Sequence, residues 1–459
     1  MSKIRGTTPS KSGLPTGAPL GYDSRQTLPR LAPPRREPCE LNLVKLLVFA
    51  HTPPPHHGQS YMVKVMLDGF GGDQRRRTRP PAAERATSPF GLECYHVNAQ
   101  VSRDLEDIGE FRPLKVVLLL GYCAQAIWCR FRYGVTTLYY IPSPGKRMAL
   151  LRDWIVMRLC RPFFKRVVLH WHAAGLGKWL ETVALMRTRA ITYRAYQDVD
   201  LSLVLSQYNR ADAEKLWPRR ITVVSNGIPD PCPDFAATIL PRRRARAAAR
   251  RQLLAGHALS SADRDDTGGG PETVQVLFLA HCTREKGLFD TIAAVALANR
   301  ELAARRSPLT LKLMVAGGFV DPAEQAEFER LRAAPEGQQQ ITYLGFVAGD
   351  KKHQALVEAD LFCFPTYFSN ENQPVNLLEA LAYGLPVVTT RWRSVPEILP
   401  GDHPALVEPK NPSQVAAALL GLLGEGEPDL ARRHFVAHFT LDQHLHNLAQ
   451  ALRSVDAAD

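Results

Sequence analysis

Short apolar runs and longer helix-periodic stretches alternate along most of this 459-residue chain. Residues 43–50, 135–141, 167–171, 201–205 and 221–224 are apolar runs of strand length, with helical patterns from Tyr61 onward and at 146–160. The same grammar repeats at 274–280, 311–316, 341–344, 361–364, 387–390 and 405–407, and the last fifty residues read as helical. Runs with so little polar alternation suit strands covered on both faces. Strands that alternate with helices suit a parallel, doubly wound sheet. The pattern predicts an α/β chain with one such domain over 41–228 and another over 273–435.

Three stretches break the pattern. Residues 1–40 hold seven prolines and no hydrophobic period, and read as a disordered tail. Residues 71–90 are rich in Arg and Pro and read as a mobile insertion. Residues 229–272 read as a low-complexity linker or insertion, although the Arg/Ala block at 242–251 has helical composition.

Composition is that of a globular chain, 45% hydrophobic and 22% charged, and the length suits two domains. The net charge of +12 is concentrated in clusters, among them the tail, Arg75-Arg76-Arg77 with Arg79, and Arg242 to Arg251. Such clusters suit nucleic acid, anionic lipid or phosphorylated ligands; solvated arginine is the plainer alternative. The eight cysteines form no CxxC pair and several lie in apolar runs, which favours reduced core thiols and a cytoplasmic chain. Residues 1–40 lack the apolar stretch of a signal peptide, and the most apolar run, 116–128, is shorter than a membrane span. The segment 146–166 mixes apolar residues with seven Lys/Arg and one Asp. It reads either as a core helix with snorkelling arginines or as a membrane-surface face.

Candidate chemistry gathers at residues 370–380. Glu371 and Glu379 lie eight residues apart, with Pro374 placed to start a helix. The free N–H groups of such a helix end form an anion site, and a phosphate there leaves both carboxylates for hydroxyl groups. A second constellation, His281-Cys282-Thr283-Arg284-Glu285-Lys286-Gly287, follows a strand and opens a helix, which places cations where a diphosphate would sit. His172 follows the strand at 167–171, with strand alternation expected to turn His170 the other way. Gly58 follows the polar loop after the first strand. Asp198-Val199-Asp200 precedes a strand and reads as a helix-ending turn. A metal site from His51, His56, His57, His170 and His172 has no supporting spacing, and no strand is followed by GxGxxG.

Residues 360–399 resemble the EX7E region of the retaining GT-B glycosyltransferases of family 4. The resemblance rests on Ala359-Asp360-Leu361, Leu378-Glu379-Ala380, Gly384-Leu385-Pro386-Val387-Val388 and Val395-Pro396-Glu397-Ile398. It implies a GT-B fold: two Rossmann-like domains facing across a cleft, with a helix in 436–459 crossing back to the first domain. It implies transfer of a sugar from a UDP- or GDP-linked donor to a hydroxyl, with retention. Glu371, Lys286 and His172 would be the catalytic group. Glu379, His281, Arg284, Gly58 and the helix start Pro374, Val375, Asn376 and Leu377 would bind the donor. His281 stands where the family usually has Arg, and His57 where it usually has a second glycine. No metal and no resident cofactor are implied. The implied acceptor is a polysaccharide or lipid-linked glycan, with no nucleic-acid partner, in the cytoplasm or at an anionic membrane surface. An epimerase, a phosphorylase or a non-catalytic sugar-nucleotide-binding homologue would be built alike.

Overall fold

The computed structural model describes residues 43–54, 58–76, 90–100, 113–267, 270–401, 403–424 and 429–456. The proposed tail, most of the 71–90 insertion, His56 and His57 lie outside the described residues.

The first half runs β1 (Val44–Ala50), α1 (Gly58–Gly69), β2 (Leu92–Asn98), α2 (Pro113–Tyr133), β3 (Thr137–Tyr140), α3 (Arg147–Cys160) and β4 (Arg166–Trp171). It continues through α4 (Leu176–Thr182), α5 (Met186–Tyr196), β5 (Leu201–Val204), α6 (Gln207–Glu214) and β6 (Ile221–Val223). Three helices follow, α7 (Phe235–Thr238), α8 (Leu240–Leu254) and α9 (Ser261–Asp266). The second half runs β7 (Thr273–Leu279), α10 (Leu288–Ala304), β8 (Thr310–Ala316), α11 (Pro322–Ala333), α12 (Pro335–Gln340), β9 (Ile341–Gly345) and α13 (Gly349–Glu358). It ends with β10 (Leu361–Phe364), α14 (Val375–Ala382), β11 (Val387–Thr390), β12 (Leu406–Val407), α15 (Pro412–Gly421), α16 (Leu430–His438) and α17 (Leu441–Asp456).

The two six-stranded sheets are ordered β2-β1-β3-β4-β5-β6 and β12-β11-β10-β7-β8-β9, with parallel pairing throughout. Two Rossmann-like domains with this topology make the GT-B fold. The first sheet is covered on one face by α2, α3 and α5 and on the other by α1 and α17. The apolar stripe of α17 (Leu445, Leu448, Leu452 and Val455) packs with Val44, Leu46 and Met66 of the first half, so the final helix does cross back. Strand β2 escapes a reading by apolar runs because Glu93 and His96 interrupt it. His96 is buried because its ring meets the Ala50 carbonyl at 2.8 Å.

Two sequence expectations need correction. The Arg/Ala block within 229–272 is not loose linker. Arg243, Arg246 and Arg250 share one face of α8 and are buried against the second sheet. Arg246 and Arg250 reach Asp360 at 2.8 and 2.7 Å, and Arg243 donates to the carbonyls of Ala359 and Leu356 at 2.8 and 3.0 Å. Burying guanidinium is costly unless paired, and Asp360 supplies the pairing. The other correction concerns 116–128. Its flanks extend it to a 20-residue apolar stretch, Leu114–Tyr133, long and apolar enough to cross a membrane by length and composition, yet only 22% buried.

Candidate functional site

In a doubly wound sheet the ligand crevice opens outside the carboxyl ends of the strands, where strand order reverses. In the second sheet that point lies between β7 and β10. The loops leaving these strands carry Lys286 and Glu371, and the loops touch. Lys286 ends the short 3-10 turn Arg284–Lys286, whose cap Thr283 accepts the Lys286 N–H. Gly287 follows with φ +86°, and a Cβ there would meet the Pro365 carbonyl oxygen at 2.5 Å. Only glycine combines this backbone with so close an approach. Tyr367 N–H then donates to the Glu285 carbonyl at 2.8 Å and ties the loops together.

The result is an ion pair of 2.8 Å between Lys286 Nζ and Glu371 Oε2. Thr366 Oγ1 donates to the same oxygen at 2.9 Å. The Lys286 ammonium also lies 4.4 Å from the centroid of the Phe368 ring, a cation–π contact. Glu371 is only 6% exposed. An ionised carboxylate only accepts hydrogen bonds, so hydroxyl groups are its natural ligands, whereas an ammonium suits phosphate oxygens.

Helix α14 begins beside this pair. Pro374 is its N-cap, one residue earlier in role than the sequence suggests, and Val375 is the first helical residue. The Leu377 N–H already donates to the Pro374 carbonyl at 3.2 Å, and its side chain is fully buried. The N–H groups of Val375 and Asn376 remain as the anion-facing donors of the first turn. Leu377 is thereby corrected to a core residue.

A cleft of about 250 Å³ brings together Gly58, His172, His281, Lys286, Glu371 and the helix start Pro374, Val375 and Asn376. The halves meet closely there, since a Cβ on Gly58 would lie 3.8 Å from Val375 Cγ2. His281 is pushed below the usual histidine range by burial and then by the Lys286 charge. Both effects favour its neutral ring, and among the described residues Lys286 is the Lys/Arg side chain that lines the cleft. His172 lines the first-half side. His170 does not point away from it. The two ring centroids are 4.3 Å apart, as positions two apart on a strand share a face. His170 is buried against the Tyr139 hydroxyl, and burial, then the His172 and His444 charges, pushes it well down.

Two further residues fall outside the cleft lining. Arg284 is corrected: it pairs with Glu327 at 2.5 Å and covers the Phe289 ring at 4.4 Å, so it belongs to the outer wall. Glu379 lies a turn into α14 and pairs with Lys352 of α13 at 2.5 Å. Tyr61 of α1 faces it, with its hydroxyl raised by burial and then by the Glu379 charge. Glu379 is thus paired within its own half, and its charge acts on Tyr61 of the other.

The sequence reading missed how the acidic loop is held. Asn372 and Gln373 are buried. Asn372 Nδ2 donates to the Trp171 carbonyl at 3.3 Å, and Asn209 Nδ2 donates to Asn372 Oδ1. Gln373 Oε1 accepts the Asn226 N–H at 2.5 Å. Glu397 accepts the N–H groups of Gln207 and Tyr208, at 2.8 and 2.7 Å, at the start of α6. The polar run Asn370 to Gln373 between apolar elements was the available signal, but its partners lie some 150 to 200 residues away in the chain.

The sequence profile described as Glycosyl transferases group 1 matches residues 273–425, the second half with its α14 and Lys286 loops. The amylovoran biosynthesis glycosyltransferase AmsK of Erwinia amylovora is 32% identical over 94 residues, 20% of this chain and 23% of its own length. The putative colanic acid biosynthesis glycosyltransferase WcaL of Salmonella typhimurium is 29% identical over 154 residues, 32% of this chain and 35% of its own length. The alignments thus span about a quarter to a third of these curated relatives. Among solved structures, sucrose-phosphate synthase from Thermosynechococcus elongatus superposes with a TM-score of 0.59 at 16% identity, covering 91% of this chain and 100% of that one. Anabaena Alr3699/HepE, solved in complex with UDP, gives 0.56 at 15% identity, covering 90% and 100%. These likenesses establish the fold across nearly the whole chain.

Proposed function

We propose that this chain is a retaining, EX7E-type glycosyltransferase of family 4 that moves a sugar from a nucleotide diphosphate to a hydroxyl acceptor in polysaccharide or glycolipid synthesis. The observation that carries the reading is the contact of Lys286 with Glu371 at the strand-order reversal, beside the first turn of α14. The match over 273–425 and the relatives named for amylovoran and colanic acid synthesis support it. The UDP complex of Alr3699/HepE favours a UDP-linked donor.

In this reading the diphosphate lies between Lys286 Nζ and the N–H groups of Val375 and Asn376. Charge develops on the leaving phosphate as the glycosidic bond breaks, and fixed donors in a water-poor cleft are most effective there. The neutral His281 ring adds a hydrogen bond. Donor-sugar hydroxyls take over Glu371 as Lys286 turns to phosphate. Glu379 accepts the ribose hydroxyls in place of Lys352, and His172 meets the sugar from the opposite wall. With Glu371 engaged by donor-sugar hydroxyls, the departing phosphate oxygen takes the acceptor proton on the same face. Neither a metal nor a resident cofactor is part of this reading. The setting is the cytoplasm, at the membrane face where lipid-linked acceptors are found.

The test is a donor screen measuring released UDP or GDP with and without lipid-linked acceptors, with the product's anomeric configuration read by NMR. A new glycoside with the donor's configuration is expected. Nucleotide release with no glycoside product would favour an epimerase or phosphorylase. Absence of binding by every nucleotide sugar in calorimetry would leave only a non-catalytic homologue.

A further inference from the structure

The outer layer of the first half carries a surface that the cleft does not use. Among the described residues, 23 large hydrophobic side chains are exposed, and 13 of them lie on α2, α3, α5 and their immediate flanks. On α2, Leu114, Val117, Leu118, Trp128 and Phe131 form one stripe at helical spacing, 43% to 68% exposed. The stripe continues onto the neighbouring helices. Phe131 meets Phe163 edge-on at 6.0 Å, Arg130 Nε donates to the Phe163 carbonyl at 2.8 Å, and Trp154 Nε1 of α3 donates to Thr192 Oγ1 of α5 at 3.0 Å.

Charge names the partner. Residues 113–133, 147–166 and 183–196 together hold twelve Lys/Arg and one Asp/Glu, a surplus of +11 against +12 for the whole chain. The one acid, Asp153, is fully buried, where the Tyr140 and Tyr196 hydroxyls each donate to it at 2.6 Å. Arg132, Arg147, Arg158, Lys165, Arg187 and Arg194 are exposed. We propose that this face docks on an anionic bilayer, with α2 lying in the headgroup plane and the arginines set against lipid phosphates.

Three alternatives fit less well. A span by α2 would pull Leu119, Cys123, Ala126 and Cys129, all within 3% exposure, out of the first-half core. A twofold contact between copies would set the same cationic surface against itself. Nucleic acid would leave Leu, Val and Met side chains without the stacking partners that aromatic residues find there. A bilayer satisfies both the apolar stripe and the charge, because apolar burial and attraction to anionic lipid add. Helix α3 starts after the carboxyl end of β3, the cleft side of the sheet. A lipid-borne acceptor would therefore approach along this layer. The inference deepens the proposed function by assigning its membrane-facing surface, and its test is independent of sugar transfer.

The experiment is flotation of the full chain with phosphatidylcholine vesicles, with and without phosphatidylglycerol. Flotation with the anionic vesicles, weakened by added salt, is the expected result. Val117→Glu with Trp128→Glu, both at exposed positions, should reduce the bound fraction about tenfold. Arg132→Glu with Arg187→Glu should reduce it as far, and the melting temperature of both variants should stay at the wild-type value. Failure of the wild-type chain to float with anionic vesicles overturns the proposal, as does flotation of both variants like wild type. A dimer in light scattering that Val117→Glu dissolves would assign the face to a second copy and overturn it too. Donor binding by calorimetry separates the membrane face from the cleft: intact donor binding without flotation leaves the cleft reading standing, and flotation without donor binding leaves this one.

Discussion

The two halves share one architecture and divide the chemistry unequally. In the second half the strand order reverses between β7 and β10, and the loops from those strands bring Lys286 onto Glu371. In the first half it reverses between β1 and β3, and that side contributes Gly58 and His172 to the cleft. Against the second sheet, Arg243, Arg246 and Arg250 of α8 are buried. The first half turns cations and large apolar side chains outward on α2, α3 and α5. Similar sheets thus carry different features: one gathers a lysine–carboxylate pair at its crevice, the other an exposed apolar and cationic outer layer. A doubly wound sheet fixes where a crevice opens and leaves the outer helix faces free to take on other work.

The contrast can be broken most severely at Asp360. Asp360→Ala leaves Arg246 and Arg250 buried without their carboxylate, and about 3–5 kcal/mol of stability should be lost. Denaturant unfolding measures it. Loss under about 1 kcal/mol would mean that the α8 arginines are not structural. Burial alone would raise the Asp360 carboxyl, but Arg250 and Arg246 outweigh it and hold it below its usual range. Its stabilisation is present above the unfolded carboxylate pKa of about 3.9 and is lost as pH falls through the lower folded value. The Asp360→Ala chain should lack this acid-dependent loss.

Next in size, Lys286→Ala should cut turnover about 100- to 1,000-fold, read as released nucleotide, with vesicle flotation unchanged. Near-wild-type turnover would remove Lys286 from the chemistry and with it the assigned division between the halves. Glu379→Ala should weaken donor binding by about 1.5–3 kcal/mol in calorimetry, the range for hydrogen bonds to a charged group. Unchanged affinity would place the ribose elsewhere. The smallest effect belongs to Glu397→Gln. Its carboxylate caps α6 from the other half, and loss of that charge should weaken this contact between the halves by about 0.3–1 kcal/mol. The expected sign is a modest rise in KM with little change in kcat. A large fall in kcat would assign Glu397 a part in the chemistry.

Legibility in the sequence followed the range of the forces involved. The strands of the second half were readable because they are near-continuous apolar runs, and Pro374 and Gly287 mark local backbone needs. Strand β2 was not, because a buried His96 looks polar until the Ala50 carbonyl is beside it. Arg284 looked like a ligand by its place in the loop, and its direction depended on Glu327 forty-three residues away.

The sequence alone determined the two α/β series, the acidic pair on its helix start and the cation after β7, because hydrophobic period, proline and glycine act within a few residues. The tertiary structure alone decided that Lys286 reaches Glu371, that the Glu379 charge acts on Tyr61 of α1, and that α8 buries one arginine-bearing face. It also decided that α2 keeps an apolar face outside. Each of these depends on the desolvation and pairing of groups distant in the chain, and pairing energies of that kind exist only once the fold has brought the partners together.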